Sequence, residues 1–445
     1  MGSTNINCLN NSGTRLSSVV PATVTSDRNK VHELTDMDLA MKLHYIKGVY
    51  LFKSEAVEGL TIYDLKKPIF QLLQLYFTAS GRIRRSETGR PFIRCNDSGV
   101  RIVEAHCEET VDELLAMAIE DSSAFNGLAY NQVLGPDLGF SPLVFVQQFT
   151  WFKCGGMSVG LSWAHVLGDA FSASDFINMW GKFMAGHAPP KSPRPPEPGR
   201  RSQLQTLSIP GTPCSLKRVD SVGDHWLTTN SCQTKTHTFH ISAKKLDHLL
   251  SSISCPPSQS AKFSAFEVLS AVIWKSLSKT KKENSEKIQI VTICAKNSRE
   301  RELELPSNDM VFSTVEADFS VAKADVSKLA ELIVNKRAEE NGIIREVVRR
   351  DNGNSDFIAY GAKLTFVNLE EAEIYGLELK GQKPVYANYT IDGVGDEGGV
   401  LVLPAGPKYG KDKARANEGH LVTAILPENQ LAQLRNELET EWSIA

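Results

Sequence analysis

The tract "PPKSPRPPEPGRRSQLQTLSIPGTP", from Pro189 to Pro213, holds eight of the chain's twenty prolines. Proline fixes φ and lacks an amide proton, so a polar stretch this rich in it continues neither a helix nor a central strand. Two readings stand: a crossover linker joining two halves, or a long surface loop inside one domain. Structureless loops beyond about 15 residues are uncommon in compact domains, and 445 residues exceed one ordinary hydrophobic core. The linker reading leads. It divides the chain into a first half over 1–186, a linker over 187–215 and a second half over 216–445.

Both halves mix helix and strand signals. In the first, "LTDMDLAMKLHY" opens a short helix that Thr35 or Asp36 caps. Ile69, Leu72, Leu73 and Tyr76 have the spacing of an amphipathic helix within Leu65–Tyr76. "RPFIRCNDSGVRIVEAH" reads as strand, turn and strand, the acidic stretch Glu109–Glu120 as helix, and Gly155-Gly156 as the turn of a hairpin between two β-rich runs. In the second half, Phe266, Leu269, Val272, Ile273 and Leu277 share one helical face, and "KIQIVTICA" is a buried strand. "ADVSKLAELIVNKRAEENGIIREVVRR" reads as helical, "LTFVNL" and "VLVLPAG" as strands, and a last helix starts at Pro427. The expected fold class is α/β, two sandwich-like layers.

Composition excludes several functions. The net charge is −3, with Lys and Arg scattered, so no basic stripe tracks a nucleic-acid backbone. The eight cysteines form no C-x-x-C pair and no tight Cys/His cluster, which leaves no sequence signal for zinc and points to reduced, mostly buried thiols. No apolar run approaches the roughly 18 residues of a membrane span.

The chemistry-bearing stretch is "VGLSWAHVLGDAFSAS", residues 159–174. A strand ending near Ala164 hands over to a helix beginning near Ala170, whose face carries Phe176, Ile177, Trp180, Phe183 and Met184. His165 then lies at a strand end, and Asp169 where an N-cap belongs. A neutral imidazole suits proton abstraction from a hydroxyl or amine. A His-x-x-x-Asp pattern also arises by chance, so a structural histidine is the alternative reading of the residues.

In their order along the chain, "VVPA", "LTDMD", "SGRIR", "CNDSGV", "QQFTWFKCGG", "HVLGDA" and "SAFEVLSAVIWKS" resemble the BAHD acyltransferases, plant enzymes that move an acyl group from a coenzyme A thioester to an alcohol or amine. "RLSSVVPA", "DLAMKLHY", "IRCNDSGVR", "GLSWAHVLGDAFSAS", "LTFVNL" and "NYTIDGVGD" are similar to one subgroup, the eceriferum-2-like (glossy2-like) proteins of cuticular wax synthesis. The resemblance implies a two-domain coenzyme A-dependent acyltransferase-like fold. Each domain is then a mixed sheet with flanking helices, and a central channel runs between the domains with the histidine at its middle. It gives His165 the general-base role and Asp169 a structural one, paired with a cation from the second half. Lys296 in "VTICAKNSRERELELPSND" stands for the family's arginine there, a point charge in place of a bidentate fork.

One departure is larger. The family's Asp-Phe-Gly-Trp-Gly motif, usually followed by Lys-Pro, maps by Lys383-Pro384 onto "ELKGQKP". Glu378 stands for the Asp, Leu379 for the Phe, Lys380 for the first Gly and Gly381 for the Trp, so motif identity is lost. The family's tryptophan is credited with stabilising the oxyanion, and losing such a donor costs about 10²–10³ in rate.

Two functions follow from the resemblance. The leading one is a protein of wax biosynthesis that promotes elongation of very-long-chain fatty acids with an elongase condensing enzyme, without standard acyl transfer. It would sit at the cytosolic face of the endoplasmic reticulum through its partner. The alternative is an active acyl-CoA-dependent O- or N-acyltransferase with His165 as general base. Neither calls for a metal or tightly held cofactor; acyl-CoA enters as substrate or ligand.

Overall fold

The computed structural model describes residues 14–130, 144–188, 211–223, 233–253, 263–280, 288–297, 306–406 and 419–444. Most of the proline tract lies outside them. The chain folds around two large sheets with helices packed on them. A six-stranded sheet runs, edge to edge, Arg15–Val19, Val100–Cys107, Val144–Phe152, Met157–Ala164, Tyr45–Phe52 and Tyr386–Asp392. A seven-stranded sheet runs Thr234–Ser242, Gly419–Pro427, Gly399–Pro404, Thr365–Asn368, Ile290–Ala295, Val311–Glu316 and Ala338–Glu339.

The two sheets do not divide where the proline tract does. Tyr386–Asp392, from well beyond residue 216, pairs antiparallel with Tyr45–Phe52 and completes the first sheet. An open strand edge is a row of unpaired amides and carbonyls, and here the second half covers it. One buried apolar cluster accordingly mixes both halves, with Phe176 and Trp180 in the same core as Phe312, Leu369 and Leu403.

Local chemistry explains the elements. Thr35 with Asp38, Thr61 with Asp64 and Thr110 with Glu113 each form a capping box, in which the threonine side chain accepts from the amide of the acid three residues on and the acid accepts from the threonine's own amide. The hairpin at Gly155-Gly156 joins Val144–Phe152 to Met157–Ala164, and Gly155 has φ +81°, a conformation that favours glycine. Helix Ala170–Met184 buries residues around almost its whole circumference, the mark of an internal helix. The five described cysteines, Cys95, Cys107, Cys154, Cys214 and Cys294, are free thiols.

The stretch 324–350, expected as one helical run, is two helices, Val326–Asn335 and Asn341–Arg350, separated by the short strand Ala338–Glu339. Buried polar groups force the break. The Glu340 carboxylate accepts from the Cys214 and Ser215 amides at 3.0 and 2.8 Å and from the Ser215 hydroxyl at 2.6 Å. The Asn341 side chain accepts from the Phe312 amide and donates to the Met310 carbonyl. The end of the crossover is pinned in this way to the second half.

A buried ion pair also crosses between halves: Lys42 Nζ lies 2.8 Å from Asp356 Oδ1, with both side chains almost fully covered. Lys42 further donates to the Gly353 carbonyl at 3.1 Å, and Asp356 accepts from the Val222 amide at 2.8 Å. Breaking a buried pair from one side leaves an uncompensated charge and costs about 3–5 kcal/mol. Lys42→Met should therefore destabilise the protein by about that amount in chemical denaturation. Lys42→Met with Asp356→Leu should recover part of the loss, and equal losses for the single and double variants would contradict this account.

Candidate active site

Asp169 is the N-cap of helix Ala170–Met184: its Oδ1 accepts from the Phe171 and Ser172 amides, both at 3.1 Å. Its Oδ2 accepts from the amide of Asp309, in the second half, at 3.1 Å, and its own amide donates to the Ser307 carbonyl at 3.0 Å. Asp169 thus supports the turn and docks it on 307–309. Lys296 does not supply the cation expected for it. The Lys296 ammonium pairs with Glu371 Oε2 at 2.8 Å and lies 5.6 Å from the centre of the Phe171 ring. The reason is position: Lys296 follows the end of strand Ile290–Ala295, and its side chain meets the exposed Glu371.

His165 follows strand Met157–Ala164 directly, in a short 3₁₀ turn. Its amide donates to the His44 carbonyl at 3.0 Å. Its carbonyl accepts from Asn308 Nδ2 at 2.9 Å, and the same nitrogen donates to Asp38 Oδ1 at 2.9 Å. Trp163 Nε1 donates to the Gly168 carbonyl at 2.9 Å and closes the turn from behind. The imidazole is 1% exposed, and its Nε2 lies 2.9 Å from the hydroxyl of Tyr360. In either tautomer, Nε2 is committed to a neighbour from the second half.

The electrostatics keep the His165, His44 and Tyr360 side chains neutral. Burial pushes the His165 imidazole below its ordinary pKa, opposed in part by the negative charge of Asp169. Burial raises the Tyr360 phenol well above its usual range, with Cys294 and Asp169 adding to the effect. His44, whose Nε2 accepts from the Ala359 amide at 3.0 Å and whose Nδ1 faces the Asp392 carbonyl at 3.4 Å, is lowered by burial to about 3. Asp38 is raised to about 6 by burial, against the hydrogen bonds of Asn308 and Thr35.

The residues standing for the second motif lie elsewhere. Leu379 and Gln382 exchange backbone hydrogen bonds, with Lys380 at φ +49° and Gly381 at φ +72° between them. That is a tight two-residue turn whose left-handed second position favours glycine. Leu377 and Leu379 are fully buried, and a Cβ on Gly181 of helix Ala170–Met184 would meet Leu377 Cδ1 at 2.8 Å and the Glu378 carbonyl oxygen at 3.2 Å. The turn therefore packs on the side of the helix. Lys383 lies 4.0 Å from Glu378 across it, both half exposed, and Pro384 leads into strand Tyr386–Asp392.

A cavity of ≈560 Å³ lies between the halves, lined by Lys47, Ser122, Thr236, Thr238, Asn388 and Asp392 among others. His165 is not among its lining residues, so this cavity does not open onto the imidazole as the expected channel would. Among the described residues no group of three His, Cys, Asp or Glu side chains is placed to hold a metal ion. The sequence reading missed Tyr360, His44, Asn308 and Asp38. Asp38 and Asn308 stand inside quoted stretches, "LTDMD" and "LPSND", whereas nothing around Tyr360 in "DFIAYGAK" marks it.

Fold and turn together define an acyltransferase-type protein, and a model of the Transferase family matches residues 13–441. The chain belongs to that family, the BAHD acyltransferases. Within it the chain belongs to the eceriferum-2-like subgroup. It is 43% identical over 435 residues to Protein ECERIFERUM 2 of Arabidopsis thaliana, covering 95% of this chain and 97% of that one. It is 36% identical over 428 residues to Protein ECERIFERUM 26 of the same plant, covering 96% and 95%. The fold is shared with vinorine synthase, at a TM-score of 0.66 and 16% identity over 95% of this chain and 96% of that one.

His44 gives a signed pH effect. Unfolded, a histidine takes up its proton near 6.5, whereas folded His44 resists protonation until about 3. The unfolded state therefore binds more protons between those values, and stability rises with pH across that window. The His44 resonances should stay those of neutral imidazole from pH 8 to about 5. The loss of stability on acidification to about pH 5 should shrink in His44→Gln, and an unchanged loss would count against His44 as its source.

Proposed function

We propose that this chain serves cuticular wax biosynthesis by promoting elongation of very-long-chain fatty acids alongside the condensing enzyme of an elongase. It acts at the cytosolic face of the endoplasmic reticulum and without standard acyl transfer. The observation that carries this reading is the Tyr360 hydroxyl 2.9 Å from His165 Nε2 in a fully buried setting. A general base must reach the proton it abstracts, and here that position is taken by the protein itself. The tight turn at Lys380-Gly381, which holds no tryptophan, supports the same reading, as does the likeness to Protein ECERIFERUM 2.

A second reading has one observation in its favour, the intact turn from His165 to Asp169. In an acyl-CoA-dependent transferase, His165 takes the proton of an acceptor hydroxyl or amine as that group attacks the thioester carbonyl. The C–S bond then breaks and the thiolate leaves with the proton. Tyr360 must first swing away from Nε2.

Two variants separate these readings. In an elongase reconstituted with its condensing enzyme, His165→Ala should give the same acyl chain-length products as the unaltered protein. Loss of lengthening, with the protein folded and its partner bound, would sink the non-catalytic reading. Tyr360→Phe frees Nε2 and should still show no transfer from very-long-chain acyl-CoA to a fatty alcohol. Turnover by the unaltered protein that vanishes in His165→Ala would establish the transferase.

A further inference from the structure

Four of the eight large apolar side chains that stand exposed among the described residues belong to helix Ile62–Leu75 or to the extended segment beside it. They are Val20 (42%), Val24 (84%), Tyr63 (68%) and Phe70 (37%). Tyr63 and Phe70 lie on the outer side of helix Ile62–Leu75, seven residues apart with Lys67 between them on the same stripe. The helix buries Leu65, Ile69, Leu72 and Leu73 on its inner side, so the exposed stripe is surplus to the core. The extended segment after strand Arg15–Val19 is fastened alongside: the Ala22 amide donates to the Phe70 carbonyl at 2.9 Å, and Gln74 Nε2 donates to Thr23 Oγ1 at 2.7 Å. The segment that carries the valines therefore runs along the helix that carries the aromatic rings.

Scattered single apolar residues on a surface are ordinary, but a contiguous patch marks a docking face. The charge on this face selects the occupant. Lys66 and Lys67 lie on the ring-bearing side of the helix and outnumber the nearby Asp64 carboxylate, which accepts from the Thr61 amide and hydroxyl at 2.9 and 2.6 Å. Aromatic side chains at headgroup depth, short aliphatics below them and lysines reaching lipid phosphates are the composition of an interfacial anchor. No helix among the described residues is long and apolar enough to cross a membrane, so contact with a bilayer would be through a surface.

We infer that the face made by Val20–Val24 and the outer side of helix Ile62–Leu75 docks on an anionic membrane leaflet, independently of any protein partner. Flotation of the full chain with vesicles tests it. Binding is expected to vesicles of phosphatidylcholine and phosphatidylserine in about a 7:3 ratio and to fall about tenfold on phosphatidylcholine alone. Val24→Ser with Tyr63→Ser and Phe70→Ser should abolish flotation while the melting temperature holds. Lys66→Glu with Lys67→Glu should remove the preference for the anionic lipid. The inference is overturned if the unaltered chain stays with neither vesicle, if the triple variant floats as well as the parent, or if both lipid mixtures bind equally. It is also overturned if the triple variant instead converts a dimer of this chain to a monomer, or loses only its grip on the condensing enzyme. His165 and Tyr360 are untouched by these variants, so failure here leaves the proposed function standing.

Discussion

The pairing of Tyr386–Asp392 with Tyr45–Phe52 is the interaction on which the rest of the interface depends. Tyr45–Phe52 pairs on its other side with Met157–Ala164, the strand that delivers His165. A segment of the second half is therefore built into the sheet that positions the histidine, two strands away from it. The strand ends at Asp392, whose carbonyl faces His44 Nδ1, and Gly393 follows with φ +77°. A Cβ there would lie 2.4 Å from the Leu43 carbonyl oxygen, so the chain can turn this closely past Leu43 only as glycine. The halves cannot drift apart without breaking a ladder in the middle of the fold.

Around that ladder, polar groups tie the two halves to each other. Asp36 holds Arg90 and Arg349 at 2.9 and 3.1 Å, joining the first half to helix Asn341–Arg350. Asp38, Asn308 and the His165 carbonyl form a buried chain between the halves. Each link is a hydrogen bond whose partner comes from far along the sequence. Left unpaired, such buried groups cost about 1–3 kcal/mol each, so the arrangement favours one closed geometry over a range of open ones.

Much of this was legible in the residues. The 3-4 spacing of Ile69, Leu72 and Leu73, the Gly155-Gly156 turn and the capping role of Asp169 are local signals, and local signals survive tertiary context. The fold class was readable from the mixture of strand and helix signals together with the resemblance. What escaped depended on partners distant in sequence. Tyr360 is an ordinary apolar-context tyrosine until the fold brings its hydroxyl against His165, 195 residues away. Lys296 was assigned by its place in a stretch, but a side chain at a strand end goes to the charge it meets, here Glu371. The break in 324–350 escaped for the same reason: Glu340 reads as one more helix-forming acid until its buried amide partners are known.

Gly168 shows what such a turn can and cannot tell a reader. A Cβ at that position would stand 2.9 Å from the Ser307 amide nitrogen and 2.8 Å from Ser172 Cβ, so a side chain there would push the second half off the turn. Asp169 makes its hydrogen bonds to the same neighbourhood. Histidine, glycine and aspartate in this spacing are thus what mechanical assembly of the two halves asks for, whether or not an acyl group is ever moved. A search by that signature finds the clasp between the halves, and the residue facing the imidazole, here Tyr360, has to be read beside it.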